Sequence, residues 1–294
     1  MSRLSPHFAH RSFAALVALL AATVVAGCSV PAPEGDAPLR YRDLIFSGVT
    51  STTGVAYGAA PLADGSTQQL TMDLYQPTGD TERYRPVMIW IHGGYFRYGS
   101  SSDTDVTTLA KRFAQRGYVT ASLNYRLLGT NCSAENFEDG CTTAAFAASS
   151  DAKAAVRWFR AHADEYRIDP DAIAIGGSSA GAITSILVAS TANSAGDSGN
   201  PGYSNAVNCA VSISGALPTN LTFGKGDAPI LFWHGTADTI VPYDWAVDNV
   251  DYMNSHGLIA VLRNVTGAGH VPFATYGDDM DEQARNFVFR AMGL

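Results

Sequence analysis

One short segment of the sequence has the residue types and spacing that acyl-transfer chemistry requires. Residues 177–181 read Gly-Ser-Ser-Ala-Gly and fit the pattern G-x-S-x-G. They follow an apolar run and precede a stretch with helical periodicity, and in that context a sharp strand-to-helix turn exposes the central serine hydroxyl. Ser179 is therefore the candidate nucleophile. The alternative interpretation is a helix N-terminus at which Ser178 or Ser179 only caps the helix.

A serine nucleophile needs a general base, and the base needs an acid that orients it. Asp238 follows the apolar run 230–234, and His270 follows the apolar run 260–265. Both runs are candidate strands, and parallel sheets assemble their sites at the carboxyl ends of their strands. The order along the chain predicts Asp238 as the acid and His270 as the base. Either residue alone also fits an ordinary turn or surface loop, but three such residues at three strand ends favour a catalytic triad.

A tetrahedral oxyanion also needs hydrogen-bond donors. Residues 90–95 read Trp-Ile-His-Gly-Gly-Tyr at the end of a further apolar run. We expect the backbone N–H groups of Gly94, Tyr95 and Ala180 to converge on the substrate oxygen, since glycine lets the backbone approach closely. We expect His92 to support this loop, and His234 to support the acid loop, rather than to act as second bases.

Apolar runs alternate with helical stretches through the rest of the chain, which is typical of a mostly parallel sheet with helices on both faces. The strand candidates are 42–47, 69–75, 87–92, 118–124, 172–176, 207–214, 230–234 and 260–265. The helix candidates are 103–116, 144–166, 180–192, 243–256 and 279–292. No helix candidate separates the first two strands, so we expect them to pair antiparallel at one edge. The pattern predicts a single α/β domain over residues 41–294.

Together these motifs resemble the α/β-hydrolase fold carboxylesterases, the serine esterase and lipase group with an HGG oxyanion loop. The resemblance covers nearly all of residues 40–294 and implies an eight-stranded sheet and an acyl-enzyme mechanism. In that group Ser179 matches the nucleophile, Asp238 the acid and His270 the base. The third glycine of the HGGG form is Tyr95 here, which favours HGGX esterases, feruloyl or acetyl-xylan esterases and arylformamidases. Arg126 and Asp151 are expected to form a structural ion pair.

The chain leaves little room for a lid over the predicted site. The stretch between the sixth and seventh strand candidates is short, so we expect no sizeable cap domain and an open cleft. An open cleft suits short-chain acyl esters and esters of bulky or polymeric alcohols, of the acetyl-xylan, feruloyl or polyester type. Phe96, Trp245 and Phe273 are candidate substrate-binding side chains. Two alternatives stay open: an amide hydrolase of the arylformamidase or peptidase type, and a catalytically inactive binding module on the same fold.

Composition excludes other classes of function. The 294-residue chain has a net charge of −8 and no cluster of Lys or Arg, so it lacks the electrostatic footprint of a nucleic-acid-binding protein. No histidine or cysteine spacing matches a metal site, and no glycine-rich nucleotide loop is present, so we expect neither metal nor cofactor. A hydrophobic content of 46% allows a large core.

The N-terminus predicts export and attachment to a membrane. Two arginines precede the apolar run Phe13–Ala26, which at fourteen residues is shorter than a span of about 20 but suits a signal peptide. The run ends Val-Ala-Gly-Cys, which resembles the lipobox of bacterial lipoproteins. That resemblance implies removal of residues 1–27 and lipid attachment to Cys28 at the cell envelope, with residues 28–40 as a Pro-rich tether. The alternatives are an ordinary secretory signal and an uncleaved anchor.

Three cysteines remain after Cys28. Export to an oxidising compartment favours a Cys132–Cys141 disulfide, with Cys209 as a free thiol in a buried strand. The alternative is three free thiols.

Overall fold

A computed structural model describes residues 29–133, 137–218 and 222–294, including their side chains except at 137–139. The predicted signal peptide and Cys28 lie outside the described residues. Over the described ranges, we find no helix with the length and hydropathy of a bilayer span.

Eight strands form one mixed, mostly parallel sheet in the order β1-β2-β4-β3-β5-β6-β7-β8. The strands are β1 (Val49–Pro61), β2 (Thr67–Pro77), β3 (Arg85–Ile91), β4 (Val119–Leu123), β5 (Ile168–Ser178), β6 (Cys209–Ile213), β7 (Ile230–Gly235) and β8 (Ala260–Val265). β2 pairs antiparallel with both β1 and β4, and every other neighbouring pair is parallel. The predicted antiparallel edge and the α/β-hydrolase fold are confirmed.

Helices cover both faces of the sheet. They are α1 (Thr104–Gln115), α2 (Phe137–Ala161), α3 (Ala163–Tyr166), α4 (Ala180–Ser190), α5 (Tyr243–Ser255) and α6 (Phe273–Met292). Side chains of α1 and α6 pack in one apolar cluster against the sheet, and those of α2, α4 and α5 pack in the other. The central strands β3 and β4 are buried along their whole length, as strands covered on both faces must be. This packing holds the carboxyl ends of β3, β5, β7 and β8 at a common edge.

The first strand does not coincide with the strand candidate 42–47, so that prediction is wrong. Those residues form turns and loop, with Leu44 57% exposed and the N–H groups of Ile45 and Phe46 donating to the carbonyl of Gln115. β1 instead follows at Val49–Pro61, where small and polar residues dominate. An edge strand with a solvent-exposed face needs few large apolar residues, which is why its sequence does not resemble that of a buried strand.

The segment expected to be a tether is packed against the domain at its start. The Val30 N–H donates to the side chain of Gln283 (2.6 Å), and the side chain of Asn286 donates to the Val30 carbonyl (2.7 Å). The Arg290 side chain donates to the carbonyls of Pro31 and Ala32, and the Val30 side chain is buried against α6. Residues 29–32 are therefore part of the folded unit.

The two predicted covalent and ionic links of the β4–α2 region are present. Cys132 and Cys141 form a disulfide, while Cys209 is a free, buried thiol whose pKa is raised by burial. Arg126 forms an ion pair with Asp151 at 2.9 Å. Both links join the loop after β4 to helix α2.

Candidate active site

Ser179 lies at the sharp turn between β5 and α4. Its backbone adopts φ 52° and ψ −118°, a strained conformation for a residue other than glycine, and its N–H donates to the carbonyl of Ile213 on β6 (2.9 Å). The helix starts against β3 so closely that a Cβ at Gly181 would lie 2.0 Å from the carbonyl oxygen of Ile91. These contacts fix the turn and direct the Ser179 hydroxyl out of the sheet edge.

His270 lies directly against the Ser179 side chain. The loop after β8 brings His270 Nε2 to 2.8 Å from Ser179 Oγ. The next residue, Val271, has a positive φ of 41°, and its N–H donates to the hydroxyl of Ser214 at the end of β6 (3.0 Å). The histidine loop is therefore held by a neighbouring strand end, and the imidazole is in place to accept the serine proton.

Asp238 completes the chain of hydrogen bonds. Its Oδ2 lies 2.8 Å from His270 Nδ1, and its Oδ1 accepts the N–H groups of Ile240 and Val241 at 2.9 and 3.0 Å. A carboxylate at Nδ1 fixes the tautomer in which Nδ1 carries the proton and Nε2 is free to accept one. The predicted acid, base and nucleophile thus form one connected array.

His234 binds the acid from its other side. Its Nε2 lies 3.3 Å from the Asp238 carboxylate and 2.9 Å from the carbonyl of Val241, and the ring is fully buried. Burial alone would raise the pKa of Asp238, but the hydrogen bonds from His234 and His270 outweigh it and lower that pKa well below its usual range. As predicted, His234 supports the acid loop and does not contact Ser179.

The glycine-rich loop after β3 lies beside the nucleophile. A Cβ at Gly93 would lie 3.1 Å from the Cβ of Ser179, so the two segments are in direct contact. Gly94 has φ +109°, and a Cβ there would lie 2.2 Å from the carbonyl of Tyr98, so only glycine fits. Tyr95, at the third position of the motif, has a positive φ of 55° without being glycine. The candidate N–H donors of Gly94 and Tyr95 thus belong to a close-fitting, strained loop at the same edge as Ala180.

His92 supports this loop, as predicted. Its Nδ1 donates to the carbonyl of Gly93 (2.7 Å), and its ring stacks on Tyr125 with centroids 4.4 Å apart. The Tyr125 hydroxyl in turn donates to the His92 carbonyl (3.0 Å). Burial lowers the pKa of His92, which keeps the ring neutral.

The three candidate substrate-binding side chains occupy different environments. Phe96 is fully buried and packs edge-on against Tyr125, so it belongs to the core and the prediction that it contacts substrate is corrected. Trp245, near the start of α5, and Phe273, the first residue of α6, are half-buried. They follow the acid loop and the histidine loop, so they remain candidates for the pocket wall.

Two supporting contacts were not anticipated from the sequence. The Ser178 hydroxyl donates to the carboxylate of Asp105 in the first turn of α1, which fixes the residue before the nucleophile. Ser214 fixes the histidine loop through Val271. For the contact between Ser178 and Asp105, the sequence offered one signal, a second serine directly before Ser179. The second contact joins segments far apart in sequence, so no local pattern predicts it.

Among the described side chains, no group of three His, Cys, Asp or Glu residues is arranged to hold a metal ion. The site consists of a hydroxyl, an imidazole, a carboxylate and backbone N–H groups, which together suit acyl transfer.

Known esterases are similar to this chain in sequence. A sequence profile of the BD-FAE family matches residues 72–223, about half of the chain. Esterase LipC of Mycobacterium tuberculosis is 25% identical over 297 residues, covering 87% of this chain and 66% of its own length. Carboxylesterase 3B of Mus musculus is 35% identical over 115 residues, which is 38% of this chain. The chain matches only 19% of the length of that mouse protein.

Solved esterase structures share the fold. A truncated carbohydrate esterase from gut microbiota superposes with a TM-score of 0.67 at 22% identity, over 85% of this chain and 98% of that one. The apo form of esterase 2 from Thermogutta terrifontis superposes with a TM-score of 0.63 at 22% identity, over 85% and 95% of the two chains. At this level of identity the likeness establishes the common fold.

Proposed function

The chain belongs to the BD-FAE family, and we propose that it is a serine carboxylic-ester hydrolase that uses Ser179, His270 and Asp238. The observation that carries the proposal is the continuous chain of hydrogen bonds from the Ser179 hydroxyl through the imidazole to the carboxylate, with both bonds 2.8 Å long. The similarity to esterases in sequence and fold supports the same reaction class.

In the proposed reaction His270 Nε2 takes the proton of Ser179 as the hydroxyl oxygen attacks the ester carbonyl. Negative charge develops on the carbonyl oxygen, and the backbone N–H groups of Gly94, Tyr95 and Ala180 stabilise it. Collapse of the tetrahedral intermediate releases the alcohol, which takes its proton from His270. Water then repeats these steps on the acyl-enzyme and releases the acid.

Asp238 acts through His270. The carboxylate keeps the imidazole proton at Nδ1 and stabilises the imidazolium that forms in each step. Its lowered pKa keeps it ionised at neutral pH, as this role requires.

We propose short-chain acyl groups on carbohydrate or other bulky alcohols as the substrates. The described parts of the segments before β1 and between β6 and β7 contain no helix, which supports an open cleft. Solved structures of Thermogutta terrifontis esterase 2 contain butyrate and propionate, and another structural neighbour is a carbohydrate esterase. These names support short acyl groups and carbohydrate alcohols, and within that class we propose the acetyl-xylan or feruloyl ester type.

The test compares p-nitrophenyl acetate, butyrate and palmitate with acetylated xylan, a feruloyl ester and a formylated aniline. We expect the short esters to exceed the palmitate in kcat/KM, with no rise in rate at the solubility limit. Faster turnover of the anilide than of every ester would assign the protein to amide hydrolysis. If the folded protein turns over none of these substrates, the interpretation as a catalytically inactive binding module is favoured.

We also propose that the mature protein is a lipoprotein attached to the cell envelope at Cys28. The small residues before Cys28 and the length of the apolar run support this proposal. Each acyl chain adds membrane affinity of about 0.8 kcal/mol per buried CH₂ group. Cys28→Ala should abolish incorporation of radioactive palmitate, and unchanged incorporation would refute the assignment.

A further inference from the structure

A groove with a volume of about 510 Å³ runs along helix α2, apart from the triad. Leu128, Thr143 and Phe146 line one part of it, and Lys153, Thr191 and Asp197 line another. Its volume lies in the range of about 300–1,000 Å³ that is typical of small-molecule sites.

The groove reaches from the loop after β4 to the segment that follows the C-terminal end of α4. Leu128 precedes Gly129, whose N–H donates to the Phe96 carbonyl in the loop beside the nucleophile (2.9 Å). Thr191 follows the last residue of α4, the helix that starts next to Ser179. Thr143 and Lys153 both line the groove and lie ten residues apart on α2, which corresponds to about 15 Å, so a ligand along the groove spans several sugar rings.

One wall of the groove presents an aromatic surface to solvent. Phe146 is 48% exposed although Ala144, Ala145 and Ala148 beside it on α2 are buried, and Leu128 is 40% exposed. A hydroxyl lies close by, since Thr143, an exposed residue one turn earlier on the same helix, also lines the groove. An exposed aromatic ring beside a hydroxyl is suited to the apolar face and the polar rim of a sugar ring.

The other part of the groove has one cationic side chain more than it has carboxylates, since Arg126 and Lys153 line it against Asp197. Lys153 is buried and donates only to the carbonyl and hydroxyl of Thr191 (2.8 and 2.7 Å). Arg157 lies one turn further along α2, outside the lining of the groove, and its guanidinium donates to backbone carbonyls. Both nearby carboxylates, Asp151 and Asp197, are already paired with Arg126. Within the described residues, neither Lys153 nor Arg157 has a carboxylate partner.

Burial, together with the charge of Arg157, lowers the pKa of Lys153 to about 8. The ammonium group is thus held without a counter-ion, an arrangement that a bound carboxylate would relieve.

We propose that this groove binds the saccharide chain of the ester substrate, with Phe146 stacked on a sugar ring and Lys153 facing the carboxylate of an acidic sugar. The proposal rests on the proposed function and adds a substrate class to it: acylated polysaccharides that carry uronic acid branches. The reaction at Ser179 itself does not depend on the groove.

The test measures binding of non-esterified oligosaccharides to the wild-type chain by calorimetry, so that turnover plays no part. The probes are a xylo-oligosaccharide with one uronic acid branch and an unbranched one of the same length. We expect the acidic probe to bind about tenfold more tightly at low salt, and the difference to shrink as salt is raised. Equal affinities would overturn the role of Lys153.

Phe146→Ala should weaken the binding of both probes about tenfold. Tyr203→Ala is the matched control, because Tyr203 is an equally exposed aromatic residue, at 47%, that does not line the groove. This control should leave both affinities unchanged. If neither probe binds, or if the two substitutions have equal effects, the proposal that the groove binds a saccharide is refuted.

Lys153→Met should remove the preference for the acidic probe and leave the neutral one bound. If this variant does not fold, the comparison of the two probes on the wild type still decides the point. Hydrolysis of p-nitrophenyl acetate is measured separately, so failure of the groove and failure of the proposed function give different results.

Discussion

Two buried polar clusters of this protein look alike in composition and differ in how their hydrogen bonds end. The triad cluster links Asp238, His234 and His270 to Ser179, and His270 is the most accessible of these side chains, at 21% exposed. The Arg126 cluster consists of Arg126 and the groups bound to it: Asp151, Asp197 and Ser198. Each cluster has a buried carboxylate that binds a cationic or potentially cationic partner.

The difference lies in which groups remain available. In the Arg126 cluster the guanidinium donates to two carboxylates, a serine hydroxyl and the carbonyls of Pro61 and Ala147, so its donors are used in holding segments together. In the triad cluster the chain of bonds ends at a hydroxyl on a strained turn, beside a basic nitrogen. A buried network whose bonds are all satisfied stabilises the fold, whereas one that ends at a nucleophilic hydroxyl beside a base can do chemistry.

The largest expected effect is on turnover, from changing the triad carboxylate. Asp238→Asn should reduce kcat about 10⁴-fold, because the amide no longer holds the imidazole tautomer in which Nε2 accepts the serine proton. Circular dichroism should show an intact fold. Less than a tenfold loss in folded protein would mean that Asp238 is not the orienting acid.

The matching change in the other cluster should affect stability and not chemistry. Asp151→Ala leaves the buried Arg126 without its buried partner and should lower the free energy of unfolding by about 3–5 kcal/mol. Urea denaturation measures this loss. The kcat per folded molecule should stay within about twofold of wild type, and a large drop in kcat at unchanged stability would break the comparison.

A smaller loss of stability should follow reduction of the disulfide. Cys132 and Cys141 close a loop of about ten residues, for which the chain-entropy estimate is about 2–3 kcal/mol. Cys132→Ser should lower the midpoint of urea unfolding accordingly, and dithiothreitol should have no further effect on this variant. Unchanged stability would show that α2 and the loop after β4 are held by other contacts, the Arg126 cluster foremost.

The smallest expected effect is on the stability of the fold at acidic pH. Hydrogen bonds from Arg126 outweigh partial burial and lower the pKa of Asp197 to about 2. Because the pKa is lower in the folded state, Asp197 contributes stability above its unfolded value of about 3.9 and loses it as the pH falls towards 2. Asp197→Asn should therefore flatten the decline in stability between pH 4 and pH 2. An unchanged slope would mean that this partly exposed ion pair contributes nothing.

The sequence predicted that Ser179, Asp238 and His270 lie together, because each follows an apolar strand and strand ends of a parallel sheet meet at one edge; the structure brings them into one hydrogen-bonded array. The sequence did not predict where β1 lies, because the apolar residues Leu44, Ile45 and Phe46 lie in a loop, while the edge strand is rich in Thr, Gly and Ala. The sequence analysis also predicted that the Phe96 side chain contacts the substrate. A positive φ of 56° at Phe96 turns that side chain into the core, and local hydrophobicity carries no signal for this turn.

Contacts between segments that are far apart in the sequence could not be predicted either. The packing of residues 29–32 on α6 depends on Gln283, Asn286 and Arg290, which lie about 250 residues away. The proline content predicted a tether, because composition indicates the conformation that a segment prefers. It does not show which distant residues the segment packs against. The groove along α2 is likewise formed by a loop and a helix whose proximity only the fold establishes.

The central claim is that Ser179, and not the adjacent Ser178, is the nucleophile. The most direct measurement is peptide mass spectrometry after reaction with paraoxon, which phosphorylates a structural neighbour of this chain. We predict a single diethylphosphoryl group on Ser179, formed together with loss of p-nitrophenyl acetate hydrolysis, and no adduct in Ser179→Ala. An adduct on Ser178, or full activity in a folded Ser179→Ala variant, would contradict the account.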